Sequence, residues 1–175
     1  MLGAKLGQTI KILQKYDSHH RLDTVILRAF GHLKIPLLSY IKPKILVLDE
    51  EKLEILVPLN RRSKNHLGSM YFGALMIGAD AAAGFYAAKL MIQENYPINF
   101  VFRDAKASFI KRPTADVLFS CDEGAKIRAA LEKAMQTSER QDIPLTVVCS
   151  CPEIGSDAVA EIHLTLSIKK KKEKN

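Results

Sequence analysis

The segment NHLGSMYFGALMIGADAAAGFYAAK, residues 65–89, decides the fold. Between Lys64 and Lys89 it carries one formal charge, Asp80, in a run of Ala, Gly, Met, Leu and aromatic residues. The segment is long enough to cross a bilayer as a helix, but a carboxylate near its centre would cost about 2.5–3.5 kcal/mol on insertion. It is also rich in Ala and Gly rather than Leu, Ile and Val. The segment therefore predicts a helix buried inside a soluble domain and no membrane span.

Both faces of this predicted helix are apolar. The larger side chains recur at three- and four-residue steps and form one stripe, which comprises Phe72, Leu75, Met76, Ala79, Ala83, Tyr86 and Leu90. The opposite face consists of small residues, namely Gly73, Ala74, Gly78, Ala81, Gly84 and Ala88. A surface helix would carry charged side chains on that face. The pattern predicts that other parts of the chain enclose the helix, and Ser69 is its expected N-cap.

The segments around the helix predict an antiparallel sheet. Residues 44–59 form two β-rich runs joined by a charged turn at residues 49–52, which is typical of a hairpin. Residues 98–113 predict a long strand that is irregular near residues 104–106, and residues 115–121 predict a short one.

Two more strands follow at residues 143–151 and 157–170. In the second, apolar residues occupy every other position: Ala158, Ala160, Ile162, Leu164, Leu166 and Ile168. This alternation indicates a sheet with one buried face.

Further helices are expected outside this sheet. Residues 122–138 predict a surface helix capped by Asp122, with Ile127, Leu131, Ala134 and Met135 on its apolar face. Residues 4–40 predict two amphipathic helices that pack on the sheet edge or cover a pocket. The second would bury Leu22, Val25, Ile26, Ala29, Phe30 and Leu33.

Composition narrows the class of protein. The chain has 175 residues, 47% of them hydrophobic, which suits one globular domain. Its net charge of +7 is inflated by a lysine-rich tail at residues 169–175, for which we expect disorder. The other basic residues are not interleaved with aromatic residues, so no specific nucleic-acid partner is predicted. The three cysteines lack metal-site spacing, and together with the absence of a signal-peptide pattern they favour a cytoplasmic protein without a metal or other cofactor.

The order of elements resembles the hotdog fold, an α+β fold in which an antiparallel sheet wraps one long helix. The resemblance covers residues 41–168, with residues 1–40 as an N-terminal helical extension of a single domain. Residues 65–80 are similar to the acyl-CoA thioesterases of this superfamily, specifically the phenylacetyl-CoA-type group and its uncharacterised relatives. The family motif has Asn, then His-Gly-Gly at the helix start, then an acidic residue. Here Asn65 and Asp80 stand fifteen positions apart as in the family, whereas Tyr71 and Phe72 replace the His and the first Gly.

The resemblance implies hydrolysis of an acyl-CoA or another acyl thioester. Asp80 would be the general base or a direct nucleophile, and Asn65 would orient the water or the carbonyl. The backbone amides of Phe72 and Gly73 would form the oxyanion hole, because a backbone N–H survives the replacement of Gly by Phe. Since eight helical residues span about 12 Å, Phe72 and Asp80 of one chain cannot act on one carbonyl. A homodimer, or a dimer of dimers, would bring the two halves together.

Other interpretations stay open at this stage. Asp80 could be a structural carboxylate bound by a hydroxyl or an arginine, and Asn65 could be a turn residue. Arg103, Lys106, Lys111 and Arg112 could meet coenzyme A phosphates or simply be solvated. Without the His-Gly pair, the protein could also be a noncatalytic acyl-CoA or lipid-binding module. A hotdog hydratase would require a His beside the Asp, and the motif has none.

Overall fold

The structure, a computed structural model, describes residues 20–171. The helices are α1 (Arg21–Lys34), α2 (Pro36–Tyr40), α3 (Phe72–Gln93) and α4 (Gly124–Thr137). The strands are β1 (Lys44–Leu48), β2 (Leu53–Val57), β3 (Ile98–Phe109), β4 (Val117–Cys121), β5 (Gln141–Cys151) and β6 (Gly155–Lys170). The predicted α+β class is confirmed. The first of the two predicted N-terminal helices lies largely outside the described residues.

All strand pairs are antiparallel, and the strand order is β1-β2-β4-β5-β6-β3. The predicted hairpin is formed by β1 and β2, whose turn is held by Asp49: its Oδ1 accepts the backbone N–H groups of Glu51 at 2.9 Å and Lys52 at 2.7 Å. Those two hydrogen bonds also lower the pKa of the Asp49 carboxyl. The predicted irregularity in β3 is a register shift between Phe102 and Asp104.

The central helix α3 packs into the concave face of the sheet. Its small residues permit this, as two positions show. A Cβ on Gly78 would lie only 2.4 Å from the Phe119 ring of β4, so no larger residue fits there. Gly84 faces Phe102 of β3, whose ring would lie 3.4 Å from an added Cβ. The inward side chains of β6 from Ala160 to Ile168 complete the core, as their alternation predicts.

This burial explains why a 22-residue apolar helix occurs in the chain. By length and composition α3 could cross a membrane, yet most of its most apolar stretch is buried within the domain. The surrounding strands are its apolar environment, as expected from the sequence.

Helix α1 buries a different face from the one predicted. Its buried residues are Asp23, Leu27 and Gly31, whereas Val25 and Leu33 are 61% and 76% exposed. A long-range ion pair sets this orientation: Asp23 Oδ1 lies 3.4 Å from Nζ of Lys89 on α3. Burial lowers the pKa of Lys89, and the nearby Asp23 opposes that shift. The pair therefore fixes α1 against the end of α3.

Two predicted helix caps and the predicted start of the disordered tail are wrong. Ser69 is not the N-cap of α3, because its hydroxyl bonds to the Asn65 side chain and the helix begins three residues after it, at Phe72, with Tyr71 as N-cap. Asp122 is not the N-cap of α4; that position is Glu123, whose carboxylate accepts the N–H of Thr146. Within the expected disordered tail, residues 169 and 170 belong to β6, and residues 172–175 lie outside the described residues.

Candidate active site

The loop before α3 is organised by Asn65. Its Oδ1 accepts the N–H of Leu67 at 2.9 Å and of Ser69 at 3.3 Å, and its Nδ2 donates to Ser69 Oγ at 3.1 Å. Asn65 is therefore a turn residue, which was one of the two interpretations of the sequence. One Nδ2 hydrogen is not used in these contacts and can still serve a ligand. The turn holds the chain in position just before the helix begins.

Two backbone amides are free at the start of α3. Tyr71 is extended (φ −67°, ψ 137°), and its carbonyl accepts the N–H groups of Ala74 and Leu75. The N–H groups of Phe72 and Gly73 donate to no partner within residues 20–171. A helix N-terminus with free amides favours negative charge. These two amides can therefore stabilise an oxyanion.

Two aromatic rings lie beside these amides. Tyr71 and Phe72 are 49% and 56% exposed, and their ring centroids are 4.8 Å apart. A Cβ on Gly73 would come within 2.5 Å of the Tyr71 ring, which shows how closely that ring covers the glycine. The residues that replace the family's His-Gly thus form an exposed aromatic pair beside the free amides of Phe72 and Gly73.

Asp80 lies two turns further along α3 and is half-buried. Among residues 20–171 no hydroxyl, arginine or other group forms a hydrogen bond or ion pair with its carboxylate, so the predicted structural partner is not found. Burial raises the pKa of the Asp80 carboxyl above its usual 3.8. An unpartnered carboxylate whose pKa is raised by burial is typical of a general base.

The predicted site residues fall into two separate cavities of one chain. Asn65 and Phe72 line a cavity of about 440 Å³ together with Phe109, Arg112 and Pro113. Asp80 lines another cavity, of about 480 Å³, against α1 and α2. Neither set of lining residues includes a member of the other. The structure brings Asn65 and Phe72 together and leaves Asp80 apart from them.

The remaining candidate residues are distributed as follows. Arg103 pairs with Asp142 and Lys111 with Asp157, each at 2.6 Å. Lys111 and Arg112 both line the cavity that contains Asn65 and Phe72. His66 also lines that cavity and makes no contact with Asp80. Within residues 20–171 no cluster of three or more His, Cys, Asp or Glu side chains could hold a metal ion.

The sequence did not predict which residues would face Asp80. The cavity wall beside Asp80 comes from Leu27, Phe30 and Leu38 of the N-terminal helices. The amphipathic pattern of residues 4–40 predicts helices that pack on the sheet edge or cover a pocket, but it does not predict the Asp23–Lys89 contact between α1 and α3. That contact joins residues far apart in sequence, so no local pattern shows it.

The family of the chain follows from its match to one family model. The family model described as "Domain of unknown function (DUF4442)" matches residues 24–167. The chain belongs to the DUF4442 family. No curated protein matches this DUF4442 chain significantly.

Solved structures share the fold of this DUF4442 protein at low sequence identity. A Chlorobaculum tepidum protein of unknown function, OLEI01261, superposes with a TM-score of 0.72 at 15% identity, over 85% of this chain and 94% of that one. A Pseudomonas aeruginosa protein, PA5026, described as a probable thioesterase, gives 0.66 at 18% identity, over 85% and 96%. A thioesterase family protein from Silicibacter pomeroyi gives 0.61 at 15% identity, over 85% and 99%.

These similarities confirm the predicted fold. The DUF4442 chain has the hotdog architecture, in which a six-stranded antiparallel sheet wraps α3, and it shares this fold with solved structures described as thioesterases. The roles of Asn65, Phe72, Gly73 and Asp80 remain predictions.

Proposed function

We propose that the protein hydrolyses acyl-CoA or related acyl thioesters at sites shared between two subunits. The observation that carries this proposal is the position of Asp80, an unpartnered half-buried carboxylate in an apolar cavity, separate from the free amides of Phe72 and Gly73. Thioesterases among the solved structures with this fold support the reaction class.

In this mechanism the Asp80 carboxylate removes a proton from water as the water oxygen attacks the thioester carbonyl carbon. The carbonyl oxygen becomes an oxyanion, which accepts hydrogen bonds from the Phe72 and Gly73 amides of the second subunit. When the tetrahedral intermediate collapses, the C–S bond breaks and the leaving thiolate takes the proton from Asp80. Direct attack by Asp80 would instead form a mixed anhydride as the C–S bond breaks and the thiolate leaves, and water would then hydrolyse the anhydride to the free acid and the Asp80 carboxylate.

Asn65 has a positioning role in this proposal and one free donor. Its amide oxygen maintains the turn that places Tyr71 and the helix start. Its second Nδ2 hydrogen is directed to the substrate, either to the thioester carbonyl or to an amide of the pantetheine arm.

A homodimer is required because one chain separates the two halves of the site. The uncovered part of β3 supports such an assembly. This strand is at the end of the sheet order, so no other strand of residues 20–171 lies along one side of its backbone. Ala105 and Phe109 pair with buried residues of β6 and so share their face, yet both are exposed, Phe109 to 52%. A second copy of the chain placed there would cover apolar surface and bring its helix start toward Asp80.

One observation favours a second candidate, a noncatalytic acyl-CoA or lipid-binding module. The Tyr71 ring covers Gly73 closely, so bound substrate must share that space with an aromatic ring. In such a module Asp80 would position a ligand without activating water.

The experiment is thiol release from short-, medium-, long-chain and aromatic acyl-CoAs, measured for the parent and for Asp80→Asn. A thiol reagent suits the assay because all three cysteines are buried. Burial also raises the pKa of Cys121 to about 11 and of Cys149 to about 12, so they contribute little thiolate.

We expect the parent to release thiol and Asp80→Asn to be about 100- to 10,000-fold slower, the usual effect of a general base. Both proteins must show the same oligomeric state and far-ultraviolet circular dichroism. Absence of turnover in the parent, with acyl-CoA binding retained by both proteins, would contradict hydrolysis and support the binding module.

A further inference from the structure

The cavity beside Asp80 is apolar along most of its length. It has a volume of about 480 Å³ and lies between α3 and the N-terminal helices α1 and α2. The apolar lining includes Leu27, Phe30, Leu38, Phe85, Ala88 and Met91. Its volume is within the usual range of small-molecule pockets.

The cavity follows one face of α3. The lining residues of this helix run from Asp80 through Gly84 and Ala88 to Met91. Eleven helical residues correspond to a length of about 16 Å. The far end is at the beginning of β3, where Asn99 and Lys171 line the cavity and the Lys171 N–H bonds to the Pro97 carbonyl.

In the described part of the chain, the polar residues that line the cavity are Asp80, Lys34, Asn99 and Lys171. On α3, every lining residue after Asp80 lacks a side-chain hydrogen-bonding group. The two amide groups of a pantetheine arm would lose water there without gaining partners, which is costly. A hydrocarbon chain loses nothing by entering and gains from the burial of each methylene.

We infer that this cavity holds the acyl chain of the substrate and selects straight chains of medium length, up to about twelve carbons. With C–C bonds of about 1.52 Å and angles of about 111°, an extended chain advances about 1.25 Å per carbon. The length of about 16 Å from Asp80 to Met91 therefore accommodates about twelve carbons. This inference rests on the proposed function, because Asp80 marks where the thioester lies.

Two residues determine chain length in this arrangement. Ala88 is about 12 Å beyond Asp80, which corresponds to about the tenth carbon. Phe30 of α1 is half-buried and forms part of the opposite wall. A larger residue at position 88 closes the far end, and a smaller one at position 30 widens the cavity.

The test compares Ala88→Leu with Ala88→Ser, which keeps the small size, and uses hexanoyl-, decanoyl-, dodecanoyl- and hexadecanoyl-CoA. For the parent, kcat/KM should rise by up to about fourfold per added carbon until about twelve carbons. Ala88→Leu should lower kcat/KM for dodecanoyl-CoA at least about tenfold and change it for hexanoyl-CoA by less than about twofold. Ala88→Ser should keep the parent profile.

Phe30→Ala provides an independent variant on α1, outside the central helix. It should move the preference toward longer or branched chains, opposite to Ala88→Leu. Chain-length profiles of Ala88→Leu and Phe30→Ala that match the parent within about twofold, with folding intact, would overturn the inference while leaving hydrolysis established.

A binding readout separates this inference from the proposed function. Dodecanoate and hexanoate are titrated calorimetrically into the parent, Ala88→Leu and Ala88→Ser. If no protein hydrolyses any thioester, selective loss of dodecanoate binding in Ala88→Leu still supports the acyl-chain cavity. Equal dodecanoate binding by all three proteins, or none by the parent, would contradict it.

Discussion

At the residue scale, Asp80 is expected to favour activity at the expense of stability. Burial raises the pKa of its carboxyl in the folded chain, and no partner within residues 20–171 offsets the cost of its charge. Below pH 3.8, the usual pKa of the group, both folded and unfolded states are protonated and this cost is absent. As the pH rises, the unfolded state releases its proton first, so the carboxyl progressively favours unfolding.

We therefore predict that Asp80→Asn is more stable than the parent at pH 7 and that the difference shrinks as the pH falls toward 3.8. Thermal unfolding of both proteins from pH 4 to pH 8 measures this difference. In the parent, kcat/KM should also fall as Asp80 is protonated, at a pH above that expected for an ordinary Asp. A parent that is more stable than Asp80→Asn at pH 7 would show that the carboxylate has a stabilising partner in the assembled protein.

Asn65 illustrates a residue that has a structural role in the candidate site. Asn65→Ala removes the acceptor of two backbone N–H groups and should lower stability by about 1–2 kcal/mol. Asn65→Asp keeps an acceptor oxygen and should retain most of that stability. Both variants are compared by denaturant unfolding. Equal stability of Asn65→Ala and the parent would contradict the proposed role of the turn.

At the scale of elements, the start of α3 can be tested without changing the fold. Proline is well tolerated at the first position of a helix, and the preceding Tyr71 already has the extended conformation that proline requires. Phe72→Pro removes the amide of residue 72, whereas Phe72→Ala removes the ring and keeps the amide. We predict a loss of about 100- to 1,000-fold in kcat for Phe72→Pro beyond the effect of Phe72→Ala.

Steady-state kinetics on both variants distinguish these contributions, with circular dichroism as the folding control. Similar kcat values for the two variants would mean that the Phe72 amide does not bind the oxyanion. A large loss of kcat that is already present in Phe72→Ala would instead be assigned to the aromatic ring.

Much of the element order can be predicted from local pattern. The alternation of residues 160–168 and the small face of α3 both reflect burial by the sheet and are confirmed. At the start of the predicted alternation Ala158 is only half-buried and Val159 is buried instead, where the register between β5 and β6 shifts. The start of a helix is less predictable, because Ser69 and Asp122 are good caps by residue type alone. In the folded chain the Ser69 hydroxyl bonds to Asn65, and the Glu123 carboxylate bonds to Thr146 of β5. These partners come from the tertiary structure, so they are not visible in the local sequence.

For the candidate site, the sequence indicates which residues to consider but not what surrounds them. The spacing of Asn65 and Asp80 and the isolation of one charge in an apolar helix suggested both residues. The turn made by Asn65 is local, and its residue type indicates it, whereas the wall formed by α1 and α2 depends on contacts between distant segments.

At the scale of the whole molecule, we predict an obligate dimer. Ala105 is exposed in one chain but lies on the inner face of β3, where a second subunit would cover it. Ala105→Glu should yield a folded monomer without thioesterase activity, because a glutamate there would be buried without a partner in the dimer. Analytical ultracentrifugation measures the oligomeric state.

Val148→Glu is the matched control, because Val148 is also exposed but pairs with Glu161 on the outer face of the sheet. It should remain dimeric and active. A monomeric Ala105→Glu protein with parental activity would contradict the shared site, as would a parent that is monomeric and active.

The most direct test of the central claim is complementation between Asp80→Asn and Phe72→Pro subunits. Each variant alone should be inactive, since every site in its homodimer lacks either the carboxylate or an oxyanion-hole amide. In a mixed dimer, one site combines Asp80 from one subunit with the Phe72 amide from the other. Equal amounts of the two variants are co-refolded so that subunits pair at random. About half of the dimers are then mixed, and half of the sites in a mixed dimer are intact. The mixture should therefore show about a quarter of the parent activity. A mixture that stays as inactive as its components, although mass spectrometry shows mixed dimers, would contradict a site built from two subunits.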